Sequence, residues 1–271
     1  MNQEENTTFI GFGNMGSAIV KAIDKDKCFK QINVIEPDEI KKSSYKNSKI
    51  NFESEISENL SNSKYVWLCI KPQLFKKISL DLEPLLLKDQ VLVSIMAGIT
   101  KKQIIKETNH SKVIRIMPNT PAQISKGISV WNATKNINSS EKKIIENALN
   151  SFGKSIYVDK EEIINLSTAL SGSGPGFYYK ILESFILAGE KVGIEKEISK
   201  KLAIETFIGS AHLVDLSKSS PEDLRIAVTS PGGTTEAGLR YLEKINIDEI
   251  ITQTITEAVN RGIELSEESE K

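Results

Sequence analysis

Few residues in this chain have the types and spacing that suit a reaction. Gly11-Phe12-Gly13-Asn14-Met15-Gly16 follows a short β-branched run, Thr8–Ile10, and opens a helical stretch through Ile23. There the glycines permit a tight turn and bring backbone N–H groups close to a pyrophosphate, whose charge a helix N-terminus favours. The bland alternative is an ordinary glycine turn between strand and helix. Glu36 stands about 20 residues beyond the last glycine, where a carboxylate can accept from the adenosine ribose 2′-OH and repel a 2′-phosphate. Lys41 and Lys42, one helical turn on, could instead meet that phosphate. NADH and NADPH both stay open on these residues, as does a plain surface carboxylate before Pro37.

Three further turns carry candidate contacts. Lys71-Pro72, Ala97-Gly98 and the run Met117-Pro118-Asn119-Thr120-Pro121 each follow an apolar run of strand length. Ligands of open α/β sheets bind at the C-terminal ends of strands, so these turns could line the nicotinamide half of a cleft, or merely punctuate loops. Later, Ser171-Gly172-Ser173-Gly174-Pro175 and Thr229-Ser230-Pro231-Gly232-Gly233-Thr234-Thr235 each lead into a helix. Hydroxyls and free N–H groups at a helix start make a compact anion site that can hold a carboxylate without an arginine. Simple N-capping by Ser230 and Thr234 fits equally well. His110 and His212 have no acidic or nucleophilic partner arranged near them in sequence, and packing or surface roles suit both better than acid–base work.

The elements that must position these residues fall into two halves. Thr8–Ile10, Ile32–Ile35, Val66–Ile70, Val91–Ile95 and Val113–Met117 alternate with more polar, amphipathic stretches, which predicts a parallel sheet with helical crossovers. Consecutive apolar residues in these runs fit a sheet covered on both faces. Ile128–Trp131 and Ser155–Val158 flank a helical segment, Ser139–Phe152, and extend the sheet at its edge. Beyond about residue 160 the pattern is helical: Ile163–Leu170, Pro175–Val192, Glu197–Leu216, Pro221–Val228, Thr234–Lys244 and Ile247–Leu265. The expectation is a Rossmann-type doubly wound α/β domain over residues 1–162 and an all-α domain over 163–271, ending in a solvated tail at Ser266–Lys271.

Composition narrows the classes further. The 271 residues hold 35 Lys and Arg against 36 Asp and Glu, a formal charge of −1. No broad cationic surface for nucleic acid follows from that balance. The apolar runs are far shorter than the roughly 18 residues of a spanning helix, so no membrane partner is expected. Cys28 and Cys69 belong to no C-x-x-C pair, and no metal cluster is expected. The polar start MNQEENTTFI is unlike a signal peptide, which points to the cytoplasm.

Taken in order, GFGNMG, IKPQ, MAGIT, RIMPNTP, ALSGSGP and TSPGGTTEAGL resemble the pyrroline-5-carboxylate reductases, from about Phe9 to Arg261. The resemblance implies a Rossmann domain followed by a helical dimerisation domain. The implied activity is reduction of 1-pyrroline-5-carboxylate to L-proline with NADPH or NADH, the last step of proline biosynthesis. A homodimer, or a higher homo-oligomer, is implied with it. Carried over by position, Gly11, Gly13, Asn14, Met15 and Gly16 would hold the pyrophosphate. Lys71, Pro72, Ala97, Pro118 and Asn119 would line the nicotinamide end. Ser230, Gly233, Thr234 and Thr235 would form the substrate loop, with Thr235 placed to hydrogen-bond the ring nitrogen. Two positions depart from the family pattern: Gly176-Phe177 replaces a more usual Ala-Tyr, and Glu36 replaces a small or hydroxylated residue, against the family's usual NADPH preference.

Such a reaction needs neither a catalytic histidine nor a metal. A cyclic imine is partly protonated near neutral pH and is then a good electrophile, so holding it against a nicotinamide is the main task. Two rival readings are weighed against this one. A β-hydroxyacid dehydrogenase would need a lysine where Tyr178 stands, and Lys180 comes two residues late, on another helix face. A non-catalytic dinucleotide-binding protein would show a degraded substrate loop, whereas Ser230 to Thr235 are intact.

Overall fold

The computed structural model describes residues 5–43, 45 and 50–270 of the chain, with the backbone alone for 268–270. Eight strands form one sheet in the order β3-β2-β1-β4-β5-β6-β7-β8. They are β1 (Asn6–Ile10), β2 (Gln31–Ile35), β3 (Ile50–Glu53), β4 (Tyr65–Leu68), β5 (Val91–Ser94), β6 (Val113–Met117), β7 (Gly127–Ala133) and β8 (Gly153–Tyr157). All neighbours run parallel except β6 and β7. The chain leaves β1 to pair β2 on one side and β4 on the other, so the strand order reverses beside β1, where doubly wound sheets open a ligand crevice.

Consecutive strand residues feed two separate cores, which explains the unbroken apolar runs. Phe9, Tyr65, Trp67, Val91 and Val93 join the cluster on one face, while Ile10, Val66, Leu68 and Leu92 join the cluster on the other. Phe9 and Trp67 stack with centroids 5.1 Å apart at the centre of the first. The helices α1 (Asn14–Lys25), α2 (Glu39–Ser43), α3 (Phe75–Leu82), α4 (Lys101–Thr108) and α5 (Ser139–Asn150) lie between the strands in the chain. Reciprocal capping boxes start α4 (Thr100 with Gln103) and α5 (Asn138 with Glu141).

One strand was not expected. β3 buries only Ile50 of its four residues and forms the sheet's edge, so it lacks an apolar signature. The two late runs do form β7 and β8 at the opposite edge. After β8 the helices are α6 (Glu162–Ser167), α7 (Gly174–Lys191), α8 (Lys196–Leu216), α9 (Pro221–Ala227), α10 (Thr234–Lys244) and α11 (Ile247–Glu270). Between α6 and α7, Thr168–Gly172 form a π-helical turn in which Ser173 N–H reaches Thr168 C=O at 2.8 Å. The expected solvated tail is instead helical as far as Glu270, because the Glu-rich run contains no glycine or proline stop. Ser266 Oγ donates to Gly98 C=O at 3.0 Å.

By its contacts the chain divides into Met1–Ser173 with Ala258–Lys271, and Gly174–Glu257. The first unit holds the sheet. In the second, α7 packs on α8 at a glycine: a Cβ on Gly189 would sit 2.1 Å from Ser199 Oγ, which donates to Ile186 C=O. Tyr178 meets Phe207 edge-on at 6.0 Å. This helix pair leaves Phe185, Leu202, Ile208 and Leu213 exposed, Phe185 by 66%. Beside them lies a cavity of about 390 Å³ lined by Leu182, Phe185, Ile194, Leu202 and Phe207.

Candidate functional site

The glycine loop sits at the reversal of strand order, and each glycine answers to a different constraint. Gly11 has φ of +100°, and a Cβ there would lie 2.7 Å from Cys69 C=O at the end of β4. A Cβ on Gly16 would lie 2.6 Å from Gly11 C=O, so the first turn of α1 packs directly on the loop. Gly13, the N-cap of α1, has φ of −71° and nothing within 4 Å of an added Cβ. The space above the loop is therefore open, and no side chain caps α1. Asn14 is exposed, and with Ser17, Lys21 and Gln123 it lines a cavity of about 550 Å³ along α1. Uncapped N–H groups, open space and a strand-end position fit a dinucleotide pyrophosphate.

Cys69 forms the floor of this loop, a role that sequence reasoning missed. Its Cβ approaches Gly16 to 3.1 Å of a would-be side chain, and burial holds its thiol well above the usual range. Its contact with Gly16 gives it a packing role beneath the loop. Burial likewise pushes the Cys28 thiol up to about 11.

Glu36 is not the surface carboxylate that its place before Pro37 allowed. It is 5% exposed; Phe12 N–H donates to Oε2 at 2.8 Å, while Asp38 N–H and Lys41 Nζ donate to Oε1 at 3.1 and 3.3 Å. One carboxylate thus joins the glycine loop to the turn after β2.

The other strand-end residues differ in availability. Lys71 is exposed and precedes a 3₁₀ turn begun by the half-buried Pro72. Ala97 is exposed in a turn completed by Gly98 at φ of +76°. Pro118 and Asn119 are buried. The Asn119 side chain is already committed: Nδ2 donates to Ser171 C=O at 3.2 Å, and Oδ1 accepts Ile128 N–H at 2.9 Å. Beside it, a Cβ on Gly172 would come within 2.6 Å of Met117 Cε. The RIMPNTP and LSGSGP motifs therefore pack on each other, with the π-helical turn as the contact surface.

Arg115, 1% exposed on β6, was not singled out in the sequence. Its guanidinium donates to Glu161 Oε1 at 3.0 Å and Asn165 Oδ1 at 2.8 Å, while Lys101 reaches Glu161 and Asn132. Burial lowers the pKa values of Arg115 and Lys101, with Glu161 opposing. This cluster fastens α6 to the sheet ahead of the π-helical turn. An arginine inside a β-branched strand was the available signal, since such a charge must find partners.

In the other unit, Gly233 is the N-cap of α10 with φ of −81°, and no side chain caps that helix. The N-capping by Ser230 and Thr234 that composition allowed is absent. Ser230 instead contributes its carbonyl to Gly233 N–H at 2.9 Å, and a Cβ on Gly233 would lie 2.9 Å from that oxygen. Glu236 folds back onto Gly232 N–H at 2.7 Å. Ser230, Thr234 and Thr235 are exposed at this helix start. Of the histidines, His212 is exposed on α8 and His110 is buried against Gln90 C=O. Among the described residues no cluster of His, Cys, Asp and Glu could hold a metal ion, and no helix is long and apolar enough to cross a membrane.

The model of one protein family, described as pyrroline-5-carboxylate reductase dimerisation, matches residues 161–265. Another, described as NADP oxidoreductase coenzyme F420-dependent, matches residues 6–98. The chain is 32% identical over 260 residues to the pyrroline-5-carboxylate reductase of Pisum sativum, covering 95% of each. It is 32% identical over 263 residues to that of Staphylococcus haemolyticus, covering 95% of this chain and 97% of the other. Among solved structures, the Coxiella burnetii pyrroline-5-carboxylate reductase matches with a TM-score of 0.89 and 32% identity, over 97% of this chain and 98% of that one. The Plasmodium falciparum pyrroline carboxylate reductase, solved with NADP bound, matches at 0.85 and 29%, over 97% and 99%.

Proposed function

Because the chain belongs to the pyrroline-5-carboxylate reductase family, we propose that it reduces 1-pyrroline-5-carboxylate to L-proline with NAD(P)H, as a cytoplasmic homo-oligomer. One observation carries the reading: the similarity to reductases spans 95% of the chain and is not confined to its dinucleotide-binding part.

The dinucleotide, when bound, supplies a hydride at nicotinamide C4. The chain's own residues do the rest. In this reading residues 1–162 hold the cofactor, with Gly11, Gly13, Asn14, Met15 and Gly16 presenting backbone N–H groups to the pyrophosphate. Glu36 serves the ribose, and Lys71, Pro72, Ala97, Pro118 and Asn119 serve the nicotinamide end. Residues 163–271 hold the imino acid. The uncapped start of α10 supports a carboxylate site made by Ser230, Gly233, Thr234 and Thr235. Hydride adds to the imine carbon as the C=N π pair moves onto nitrogen, which is already protonated or takes up one proton. Thr235 Oγ1 positions that nitrogen by a hydrogen bond. A hydroxyl is a weak acid, so orientation is its main contribution.

The exposed apolar face around Phe185, Leu202 and Ile208 supports a homodimer built on the helical domain, since so large an apolar patch is costly in water. The test is dihydronicotinamide oxidation by the purified chain with 1-pyrroline-5-carboxylate, and identification of proline as product. Dinucleotide binding with no imine-dependent oxidation by either NADH or NADPH would refute the assignment.

A further inference from the structure

We propose that Glu36 makes this reductase selective for NADH, by fixing a negative charge where an adenosine 2′-phosphate would have to be accommodated. The inference rests on the reading above and adds what neither the motifs nor the relatives decide.

Glu36 follows Ile35, which pairs with Ile10 of β1 on one side and Glu53 of β3 on the other. It therefore ends β2 beside the glycine loop, at the place where a doubly wound fold meets the adenosine ribose. The three donors to its carboxylate fix its position: Phe12 N–H, Asp38 N–H and Lys41 Nζ. An anion tied to the loop backbone cannot swing aside to admit a phosphate without breaking the bond to Phe12.

Of the two lysines at hand, Lys41 is shared between Glu36 and Asp38, and Lys42 is engaged with Glu39. Lys41 Nζ lies 3.3 Å from Glu36 Oε1 and 3.7 Å from Asp38 Oδ2. Lys42 Nζ lies 2.5 Å from Glu39 Oε1 and 2.8 Å from Ser54 Oγ. Glu53 C=O accepts Glu36 N–H at 2.9 Å and helps hold the end of β2 in place. Among the described residues Glu36, Asp38 and Glu39 here outnumber two lysines, Lys41 and Lys42; Lys46 and Lys49 lie outside the described residues. A ribose hydroxyl can donate to such a site, whereas a phosphate dianion meets like charge and brings only acceptors.

Titration calorimetry of the wild-type chain with NADH and NADPH, at one fixed salt concentration, tests the inference without any turnover. NADPH should bind about tenfold or more weakly. Glu36→Gln keeps an acceptor for Phe12 N–H and removes the charge, so it should close most of that gap chiefly by strengthening NADPH. Because Glu36 also braces the loop, a second comparison uses the wild type alone: 5′-AMP should raise its melting temperature more than 2′,5′-ADP does. Equal or tighter NADPH binding by the wild type overturns the proposal, as does a folded Glu36→Gln chain with an unchanged ratio. Imine reduction is scored separately, so a chain that prefers NADH yet reduces no imine refutes the function and leaves the selectivity standing.

Discussion

The side-chain amide of Asn119 donates to the backbone carbonyl of Ser171 at 3.2 Å, joining the turn after β6 to the π-helical turn ahead of α7. Its oxygen takes Ile128 N–H in the same stroke. Asn119→Ala should therefore strand two partly buried backbone groups and cost about 1–3 kcal/mol. Asn119→Asp should cost more, since it turns an oxygen toward the Ser171 carbonyl. Urea unfolding of the three chains measures this. An alanine variant as stable as wild type would show that water replaces the amide freely.

Two glycines of one loop should respond differently to the same added methyl. Gly11→Ala forces a positive φ and a 2.7 Å approach to Cys69 C=O, so both melting temperature and dinucleotide binding should fall. Gly13→Ala meets nothing within 4 Å and keeps an ordinary φ, so the fold should survive at a cost of no more than about 1 kcal/mol. Dinucleotide affinity should nonetheless drop, because the methyl occupies the open space above the loop. Paired thermal melts and NADH titrations decide it; unchanged NADH affinity in Gly13→Ala would move the pyrophosphate elsewhere.

The sheet was readable from the chain because its strands are buried on both faces. Val66, Trp67 and Leu68 have no polar residue to break the run, and each signals strand whichever core it serves. β3 escaped because Ile50 alone is buried, and an edge strand carries little apolar code. The end of α11 escaped because charge was taken for solvation, whereas Glu is also a good helix former.

For the site, residue types gave position more readily than partnership. The glycine loop announced itself by its spacing between a strand and a helix; Gly11 and Gly16 answer steric demands of their neighbours, while Gly13 faces open space. Glu36 was placed correctly at the end of β2, but its bond to Phe12 N–H crosses 24 positions and leaves no periodic trace. Asn119 was singled out as a lining residue, but the bonds of its side chain to Ile128 and Ser171 were not legible. Local pattern cannot express such long-range hydrogen bonds.

Thr235 stands exposed in the first turn of α10, with no bond from its hydroxyl to cap the helix. Thr235→Ala should lower turnover about 10- to 100-fold and leave dinucleotide affinity nearly unchanged. Thr235→Ser should restore most of the rate, since it returns the hydroxyl. Steady-state rates beside NADH titrations separate the two effects. Equal losses of turnover and dinucleotide binding would refute this division of labour.

His110 sets a pH dependence on stability whose sign follows from its burial. Asn109, with φ of +49°, turns the chain at the end of α4, and the His110 ring lies buried with Nε2 donating to Gln90 C=O at 2.8 Å. A carbonyl only accepts, so Nε2 carries a proton in this bond. Desolvation holds its pKa below the ordinary 6.5, with the Gln90 bond opposing. The unfolded chain takes up a proton near 6.5, and the folded ring does so only at lower pH. The ring's contribution is therefore whole above that pH and erodes as pH falls below it, until the folded ring also protonates. His110→Gln removes the titration. Urea unfolding at about pH 7.5 and about pH 5.5 should show the wild type losing more stability than the variant between the two. Equal losses would mean that the folded ring protonates as readily as the unfolded one.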